Sequence, residues 1–199
     1  MGKQEDLDRK AIKSKIPESA KLVFRGVLWD VYQWQQTMLD GSSETFEGLK
    51  RRGSAKVIAT HDGKVLINRE LRVGDEKSYY TLPGGIIKEG EAPLDAAKRE
   101  LLEETGMESD DWELFYTLDL LRFPRIDYYI HIFLARNCRK SAGQSLDNGE
   151  RITVEEVSMD DFLRKLGTSK ERMGTAYSLF TDSKWISSLK SRLDIYSKT

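Results

Sequence analysis

Cysteine and histidine are scarce in this chain. Its 199 residues include one cysteine, Cys138, and two histidines, His61 and His131. One cysteine excludes an intrachain disulfide, and this small set does not favour a structural zinc site. His61 falls in a turn pattern and His131 in an apolar strand pattern, so we interpret neither as a metal ligand. The single cysteine fits a reducing cytoplasm.

The chain also lacks long apolar runs, a secretory signal and an excess of charge of one sign. No apolar segment approaches the roughly 20 residues that cross a bilayer. The amino terminus, MGKQEDLDRK, has no apolar centre, and Asp6 stands where N-myristoylation requires serine or threonine. Thirty-two basic residues balance thirty-three acidic ones, which gives no reason to expect nucleic acid or an anionic membrane as the main partner. We therefore expect a soluble cytoplasmic protein.

The chain divides into three predicted parts. Residues 1–20 are charged and contain Pro17, and we interpret them as a flexible amino-terminal arm. Residues 21–52 are rich in aromatic and β-branched residues around the turn Asp40-Gly41, which predicts a small antiparallel sheet. Residues 53–199 form the main domain.

In the main domain, strand and helix patterns alternate. Strands are predicted at residues 55–60, 64–68, 79–82, 112–121, 126–135 and 150–157. The segment 126–135 is apolar on both faces, so we expect it to be central in a covered sheet. The pattern Ser158-x-x-Asp161 predicts a helix start, residues 136–148 predict a polar loop, and residues 175–193 predict a terminal helix. This order of elements indicates a mixed α/β sandwich.

The stretch from Gly85 to Met107 predicts a loop followed by a single helix. Pro93 suits the first helical turn, where its missing N–H costs nothing, and Gly106 suits the helix end. Leu94, Ala97 and Leu101 share one side of this helix. Three carboxylates at i, i+3 and i+4 share another: Glu100, Glu103 and Glu104. We expect the apolar side to pack and the acidic side to remain exposed.

The acidic side has two interpretations. A solvated charged face would cost only about 0.2–0.5 kcal/mol per like-charged pair. The preceding turn, Pro83-Gly84-Gly85, allows a backbone carbonyl to approach the same side, however. Carboxylates combined with a carbonyl oxygen are the ligands that Mg²⁺ requires. We therefore predict a divalent metal site.

This stretch resembles the Nudix box, G-x5-E-x7-R-E-U-x-E-E-x-G-U with U an aliphatic residue, at every specified position. The matching residues are Gly85, Glu91, Arg99, Glu100, Leu101, Glu103, Glu104, Gly106 and Met107. The resemblance implies the Nudix fold, an α/β/α sandwich with a mixed sheet, here with the small amino-terminal antiparallel sheet added.

The resemblance also implies the chemistry. Nudix enzymes cleave a nucleoside diphosphate linked to another group, and they use Mg²⁺, for which Mn²⁺ can substitute. The family pattern implies Glu100 and Glu104 as principal metal ligands, with Glu103 sharing that role and the Gly84 carbonyl as the backbone ligand. Arg99 would orient the acidic side chains by ion pairing.

The flanking segments are similar to ADP-ribose and ADP-sugar pyrophosphatases. In that subfamily the amino-terminal sheet is exchanged across a homodimer, aromatic residues stack on adenine and an arginine holds the diphosphate. The matching positions are Trp29, Phe46 and Arg51, and Arg72 matches another substrate-binding arginine. Ordinary hairpin packing is the alternative role for the two aromatic residues.

The segment after the box carries a weaker resemblance. Asp147-x-x-Glu150 is similar to the loop that holds a further catalytic glutamate in the subfamily, which makes Glu150 the first candidate for a general base and Asp147 the second. A solvated Glu150 without a role is the alternative. The subfamily's Ser-Pro-Gly segment appears here only as Phe123-Pro124-Arg125, in a basic bend with Arg122.

Three functions stay open from the sequence. The first is Mg²⁺-dependent hydrolysis of ADP-ribose to AMP and ribose 5-phosphate, with GDP-mannose, another nucleotide sugar or a nucleoside triphosphate as alternative substrates. The second is a Nudix-like module that senses nucleotides without catalysis, which the complete box disfavours. The third is an RNA-decapping enzyme, which the absence of a basic stripe disfavours.

Overall fold

The computed structural model of the protein describes residues 14–119, 124–169 and 179–193. The strands in these ranges are β1 (Lys21–Arg25), β2 (Asp30–Thr37), β3 (Ser43–Lys50), β4 (Ser54–His61), β5 (Lys64–Arg72), β6 (Tyr79–Thr81), β7 (Met107–Glu108), β8 (Asp111–Asp119), β9 (Ile126–Asp127), β10 (Tyr129–Arg136), β11 (Arg139–Lys140) and β12 (Glu150–Val157). The helices are α1 (Pro93–Thr105), α2 (Met159–Gly167) and α3 (Ser183–Leu193). No helix in the described ranges is both long enough and apolar enough to span a membrane.

A mixed sheet forms the centre of the molecule. Its strands follow the order β12-β5-β4-β10-β8, and β6 pairs with β5 beside this path. The pair β4 and β10 is parallel, whereas β8 runs antiparallel to β10 and β12 runs antiparallel to β5. The central position predicted for residues 126–135 is confirmed for β10, which lies between β4 and β8.

Alternating side chains on β4 and β10 build a separate core on each face of this sheet. Ile58 and Leu134 contact the helices α2 and α3 through Phe162 and Leu189 on one face. On the other face, residues such as Phe133 pack with α1; the apolar residues there include Ala55, Val57, Leu94, Ala97 and Leu101. Helices therefore cover both faces, and the predicted α/β/α sandwich is confirmed.

The small amino-terminal sheet has the order β1-β2-β3-β9. Its first three strands are antiparallel, as the sequence predicts, and Gly41 adopts a positive φ of 86° in the connection between β2 and β3. The fourth strand, β9, joins β3 in parallel through Leu49 and Lys50. Because β9 directly precedes β10, this pairing fixes the small sheet to the main domain.

Residues 14–16 lie against β9, in the segment for which the sequence predicts a flexible arm. The Lys15 backbone N–H donates to Asp127 Oδ1 at 2.8 Å, and the Ser14 hydroxyl donates to the other carboxylate oxygen. Ile16 is buried. The remainder of the predicted arm, residues 1–13, lies outside the described residues.

Two predictions about the carboxyl-terminal half need correction. The terminal helix does not extend through residues 179–182, because α3 begins at Ser183; residues 175–178 lie outside the described ranges. The segment 136–148 is not only a polar loop, since Arg139–Lys140 pairs with Met107–Glu108 after α1. The strand at 150–157 and the helix capped by Ser158 form as predicted, and the Ser158 hydroxyl accepts from the Asp161 N–H.

Candidate active site

The turn before α1 lies across strand β4. The backbone N–H of Val57 donates to the Pro83 carbonyl at 2.8 Å, and that of Ala55 donates to the Gly85 carbonyl at 3.0 Å. Gly84 has a φ of 132°, and a Cβ there would lie 2.1 Å from the Ala55 carbonyl oxygen. Only glycine permits this close approach, which brings the turn against the acidic side of α1.

Glu104 on the last turn of α1 is buried, with 4% of its surface exposed. Its Oε2 accepts from the Gly84 N–H and from Asn68 Nδ2, each at 2.8 Å. Burial raises the pKa of Glu104 to about 7, although Lys56 and the Gly84 N–H act in the opposite direction. The expectation of an exposed acidic side is therefore wrong for Glu104, because two strands and the glycine turn cover it.

The other two carboxylates of α1 are held by Arg99. Its guanidinium donates to Glu100 at 2.6 Å, to Glu103 at 3.0 Å and to Glu91 at 2.8 and 3.0 Å. A further bond reaches the Ile86 carbonyl at 3.2 Å. Arg99 is thus the geometric link between the loop and the helix, in the arrangement that the sequence resemblance implies.

A cavity of about 310 Å³ opens beside this turn. Arg51, Lys56, Glu70, Arg72, Gly84, Gly85 and Tyr128 are among the residues that line it. The Glu100 carboxylate lies against Gly85, since a Cβ on that glycine would meet Glu100 Oε1 at 2.5 Å. The glycine turn and basic side chains therefore line one cavity, and Glu100 of the acidic helix face lies directly against the turn.

Arg72 connects this cavity to the loop before β12. Its guanidinium binds the buried carboxylate of Glu70, and its Nη2 lies 3.1 Å from Glu150 Oε1. Burial raises the pKa of Glu150 above its ordinary value, and Glu70 and Asp147 add to this effect while Arg72 opposes it. Glu150 is therefore ion-paired and partly buried, with 20% of its side chain exposed. Asp147 lies near it through a 3.0 Å bond from the Glu150 N–H to the Asp147 carbonyl.

Arg51 and Tyr128 line the cavity, and Trp29 contacts both of them. The Arg51 guanidinium lies 4.2 Å from the ring centroid of Tyr128 and 5.5 Å from that of Trp29. The rings of Trp29 and Tyr128 meet edge to face at 5.9 Å. Arg51 therefore lines the cavity and Trp29 lies beside two of its lining residues, while their roles in substrate binding stay a prediction.

Phe46 lies elsewhere within this chain. Its ring packs against Trp34 at 6.0 Å and under the Arg125 guanidinium at 4.7 Å. Both aromatic residues line a second hollow of about 520 Å³ with Lys15 and Arg125. The structure therefore does not bring Phe46 to the cavity of its own chain; Arg122 and Phe123 of the predicted basic bend lie outside the described residues.

The oxygen atoms around the glycine turn suit a hard divalent cation. Carboxylates of Glu100 and Glu104 and the carbonyl of Gly84 converge there, and the buried Oδ1 of Asn68 beside Glu104 has no hydrogen-bond partner among the described residues. Among the described residues, however, no group of three or more aspartate, glutamate, histidine or cysteine side chains is arranged to hold a metal ion. Two cations lie at these oxygen atoms: Arg99 bridges Glu100 and Glu103, and Lys56 donates to the Gly84 carbonyl.

Sequence reasoning missed four residues at this cavity: Lys56, Asn68, Glu70 and Tyr128. Three of them are polar residues that interrupt buried apolar stretches: Lys56 stands between Ala55 and Val57 in β4, and Asn68 and Glu70 follow the buried run Val65–Ile67 in β5. A buried polar residue needs a partner, so the interruption of the apolar pattern is the signal that could have identified them. Tyr128, between β9 and β10, looks in the sequence like an ordinary core residue of the strand predicted at 126–135.

Comparisons with known proteins agree with this geometry. A model of the NUDIX domain matches residues 50–178. The chain is similar to the ADP-ribose pyrophosphatase of Bacillus subtilis (strain 168), with 31% identity over 79% of this chain and 86% of that protein. It is also similar to the RNA pyrophosphohydrolase of Bartonella quintana (strain Toulouse), with 48% identity over 58% of this chain and 62% of that protein.

A solved structure shares the fold. The crystal structure of an ADP compounds hydrolase superposes with a TM-score of 0.67 and 17% sequence identity, covering 90% of this chain and 94% of that one. At this identity the match concerns the fold alone.

Proposed function

Since the chain belongs to the Nudix family of pyrophosphohydrolases, we propose that it hydrolyses the diphosphate bond of a nucleoside diphosphate sugar. ADP-ribose is the first candidate, with AMP and ribose 5-phosphate as products. The observation that carries this proposal is the cavity lined by the Gly84-Gly85 turn and two arginines, with Glu100 of the acidic face of α1 against that turn. The similarity to an ADP-ribose pyrophosphatase over most of both chains supports the choice of substrate.

Mg²⁺ is the cofactor that we propose, with Mn²⁺ as a substitute, because the donors at the turn are hard oxygen atoms. When bound, it supplies charge neutralisation for the diphosphate and an activated water molecule. Glu100, Glu104 and the Gly84 carbonyl would hold it, and Glu103 would share this role. Arg99 positions these carboxylates through the ion pairs described above.

Glu150 is our candidate for the general base. Burial raises the pKa of its carboxyl group, and a base whose pKa lies closer to neutrality accepts a proton more effectively at neutral pH. The ion pair with Arg72 orients the carboxylate beside the cavity. Asp147 is the second candidate, since it lies in the same loop.

The basic and aromatic residues at the cavity suit the two ends of the substrate. Arg72 and Arg51 can bind phosphate oxygens through planar guanidinium groups. Trp29 can stack on a base, an interaction worth about 1–3 kcal/mol that does not depend strongly on which base is bound. Phe46 would complete the base site only from a partner subunit, because it lies outside the cavity of its own chain.

A homodimer through the amino-terminal sheet is part of the proposal. Strand β1 is exposed along its whole length, including its apolar residues Leu22, Val23 and Phe24. Two further exposed apolar residues, Val27 and Leu28, follow it. An apolar surface of this kind on a sheet edge favours association. The exchange of this sheet between subunits would also explain how Phe46 reaches a substrate.

The test is a substrate panel with identified products. Purified protein with Mg²⁺ is incubated with ADP-ribose, GDP-mannose and deoxynucleoside triphosphates. We expect AMP and ribose 5-phosphate from ADP-ribose, and a loss of activity on the order of 100-fold or more in Glu100→Gln and Glu104→Gln. Turnover of triphosphates without turnover of nucleotide sugars would contradict the substrate assignment. Near-normal activity in either variant would contradict the metal-ligand assignment.

A pyrophosphohydrolase acting on RNA is the second candidate. The observation that favours it is the 48% identity over 121 residues to the Bartonella quintana protein. RNA carrying a 5′-triphosphate belongs in the same panel. Release of pyrophosphate from it at a higher kcat/KM than hydrolysis of ADP-ribose would favour this candidate over the first.

A further inference from the structure

Lys56 on β4 places a positive charge at the glycine turn. Its side chain is half-buried and lines the cavity. The ammonium group donates to the Gly84 carbonyl and lies 3.4 Å from the Leu82 carbonyl. A lysine between two buried residues, Ala55 and Val57, is unusual, since burial of an ammonium group costs free energy unless the group is paired.

The charges around Lys56 explain why it is held there. Glu104 is buried beside the same turn, and Glu100 and Glu70 add negative charge near it. Lys56 is the cation that acts on Glu104 most strongly. The nearby Arg99 and Arg72 are already bound to Glu91, Glu103, Glu70 and Glu150.

We propose that Lys56 is a built-in counterion that occupies the Gly84 carbonyl in the metal-free enzyme, and that a divalent ion must displace its ammonium group in order to bind. This inference rests on the proposed function, because it takes Gly84 and Glu104 as metal ligands. Lys56 thereby weakens metal binding and stabilises the metal-free site.

Lysine is suited to this exchange. Its ammonium group is a compact charge on a flexible stem, so it can leave the carbonyl by rotation of side-chain bonds without movement of β4. An ammonium group and a divalent ion on one carbonyl oxygen repel each other, so binding of the ion favours departure of the ammonium group. The cavity that Lys56 lines provides the space for the displaced group.

The first measurement is the affinity for Mn²⁺ alone, obtained by electron paramagnetic resonance of the free ion. The variants are Lys56→Met and Lys56→Gln, of which the second keeps an N–H that can donate to Gly84. Lys64→Gln, on the exposed start of β5, is the matched control. We expect Kd to fall about tenfold or more in Lys56→Met and by a smaller factor in Lys56→Gln, with no change in the control.

The second measurement is thermal unfolding in EDTA and in Mn²⁺. Loss of the counterion should lower the Tm of both Lys56 variants in EDTA, and Mn²⁺ should raise their Tm more than it raises that of the wild type. Lys64→Gln should follow the wild type in both conditions. This readout does not depend on activity.

The outcomes separate this inference from the proposed function. Equal Mn²⁺ affinity in the wild type and both Lys56 variants, or weaker binding in the variants, would overturn the role of Lys56 while leaving hydrolysis intact. Absence of Mn²⁺ binding in every variant would overturn both. If the Lys56 variants bind Mn²⁺ more tightly but the wild type hydrolyses none of the tested substrates, the counterion role of Lys56 is supported and the proposed function is contradicted.

Discussion

The three carboxylates on α1 have different surroundings although they lie within five residues. Glu104 is 4% exposed, Glu100 lies half-buried against Gly85, and the side chain of Glu103 is 39% exposed. Desolvation is strong only for the first of them, which is why its pKa rises to about 7. Glutamates on one side of the same helix therefore affect stability differently, according to how deeply each is buried.

Glu104→Gln should stabilise the metal-free protein above neutral pH. The pKa of Glu104 is raised from 4.5 to about 7, so its stabilising contribution is present below pH 4.5 and is lost as the pH rises through 7. The buried charge then costs about 3 kcal/mol. Glutamine avoids this cost, and its carbonyl oxygen can still accept from Gly84 and Asn68.

The measurement is urea unfolding in EDTA at pH 5 and pH 8. The free energy of unfolding of Glu104→Gln should be close to that of the wild type at pH 5 and higher at pH 8. Glu103→Gln, on the exposed part of the same face, is the matched control. A variant that is less stable than the wild type at pH 8 would show that Glu104 is charged and compensated in the metal-free fold.

Arg99→Lys should weaken both the fold and the metal site. Lysine cannot reproduce the planar fork that binds Glu91, Glu100 and Glu103 at once. We expect the free energy of unfolding to fall by roughly 1–3 kcal/mol, the range for hydrogen bonds to charged groups, together with weaker Mn²⁺ binding. The control is Arg164→Lys, whose exposed pair with Asp161 should contribute nothing measurable. Equal stability and Mn²⁺ affinity in Arg99→Lys and the wild type would show that Arg99 does not position the carboxylates.

At the level of elements, α1 is defined by its two ends. Pro93 opens the helix, and Gly106 closes it with a φ of 66° and a backbone N–H donated to the Leu102 carbonyl. Gly106 also lies under the loop at residue 142, because its carbonyl accepts from the N–H groups of Ser141 and Ala142. The helix end is therefore fixed from both sides.

Gly106→Ala should destabilise the protein more than Gly63→Ala, which introduces backbone strain without a steric clash. A Cβ on Gly106 would lie 2.2 Å from the Ala142 carbonyl oxygen. Gly63 has a similar φ of 75° with no atom within 4 Å of a Cβ, so Gly63→Ala should cost only the strain of about 1–2 kcal/mol. We expect Gly106→Ala to cost at least about 2 kcal/mol more in chemical unfolding. Equal costs would mean that the loop at residue 142 moves away freely.

The elements were predictable to the extent that local patterns specify them. The hairpin around Asp62-Gly63, the strand from Glu150 and the start and end of α1 each have a turn or cap signal in the sequence. The burial of Glu104 has no such signal, because it results from Asn68 and the Gly84 turn closing over one position of the helix. The contact of Lys56 with Gly84 likewise depends on how the turn crosses β4. Contacts between residues that are distant in the sequence leave no signal in a local periodic pattern.

The whole molecule combines a covered α/β/α domain with an exposed amino-terminal sheet. Val27 and Phe24 have relative exposures of 103% and 61% in the single chain. Phe24 lies in the edge strand β1 and Val27 in the connection to β2, and these exposures are high for large apolar residues. The proposed homodimer would bury both side chains.

Phe24→Glu combined with Val27→Glu should convert the protein to a monomer. Charges at these positions would have to be buried in the interface, which is strongly unfavourable. Sedimentation equilibrium measures the change, and Val73→Glu is the control, since Val73 is 88% exposed but lies outside the sheet. If Phe46 acts from the partner subunit, the double variant should also have a raised KM for ADP-ribose. A monomeric wild type at micromolar concentration would contradict the dimer.

The parallel pairing of β3 with β9 has a consequence for synthesis on the ribosome. Lys50 pairs with Asp127, and Asp127 also binds Ser14 across 113 positions of the chain. At about 5–20 residues per second, roughly 4–15 seconds pass between the emergence of β3 and that of β9. For this interval the amino-terminal strands have a free edge and exposed apolar residues. We expect nascent chains to need chaperone protection until residue 127 emerges.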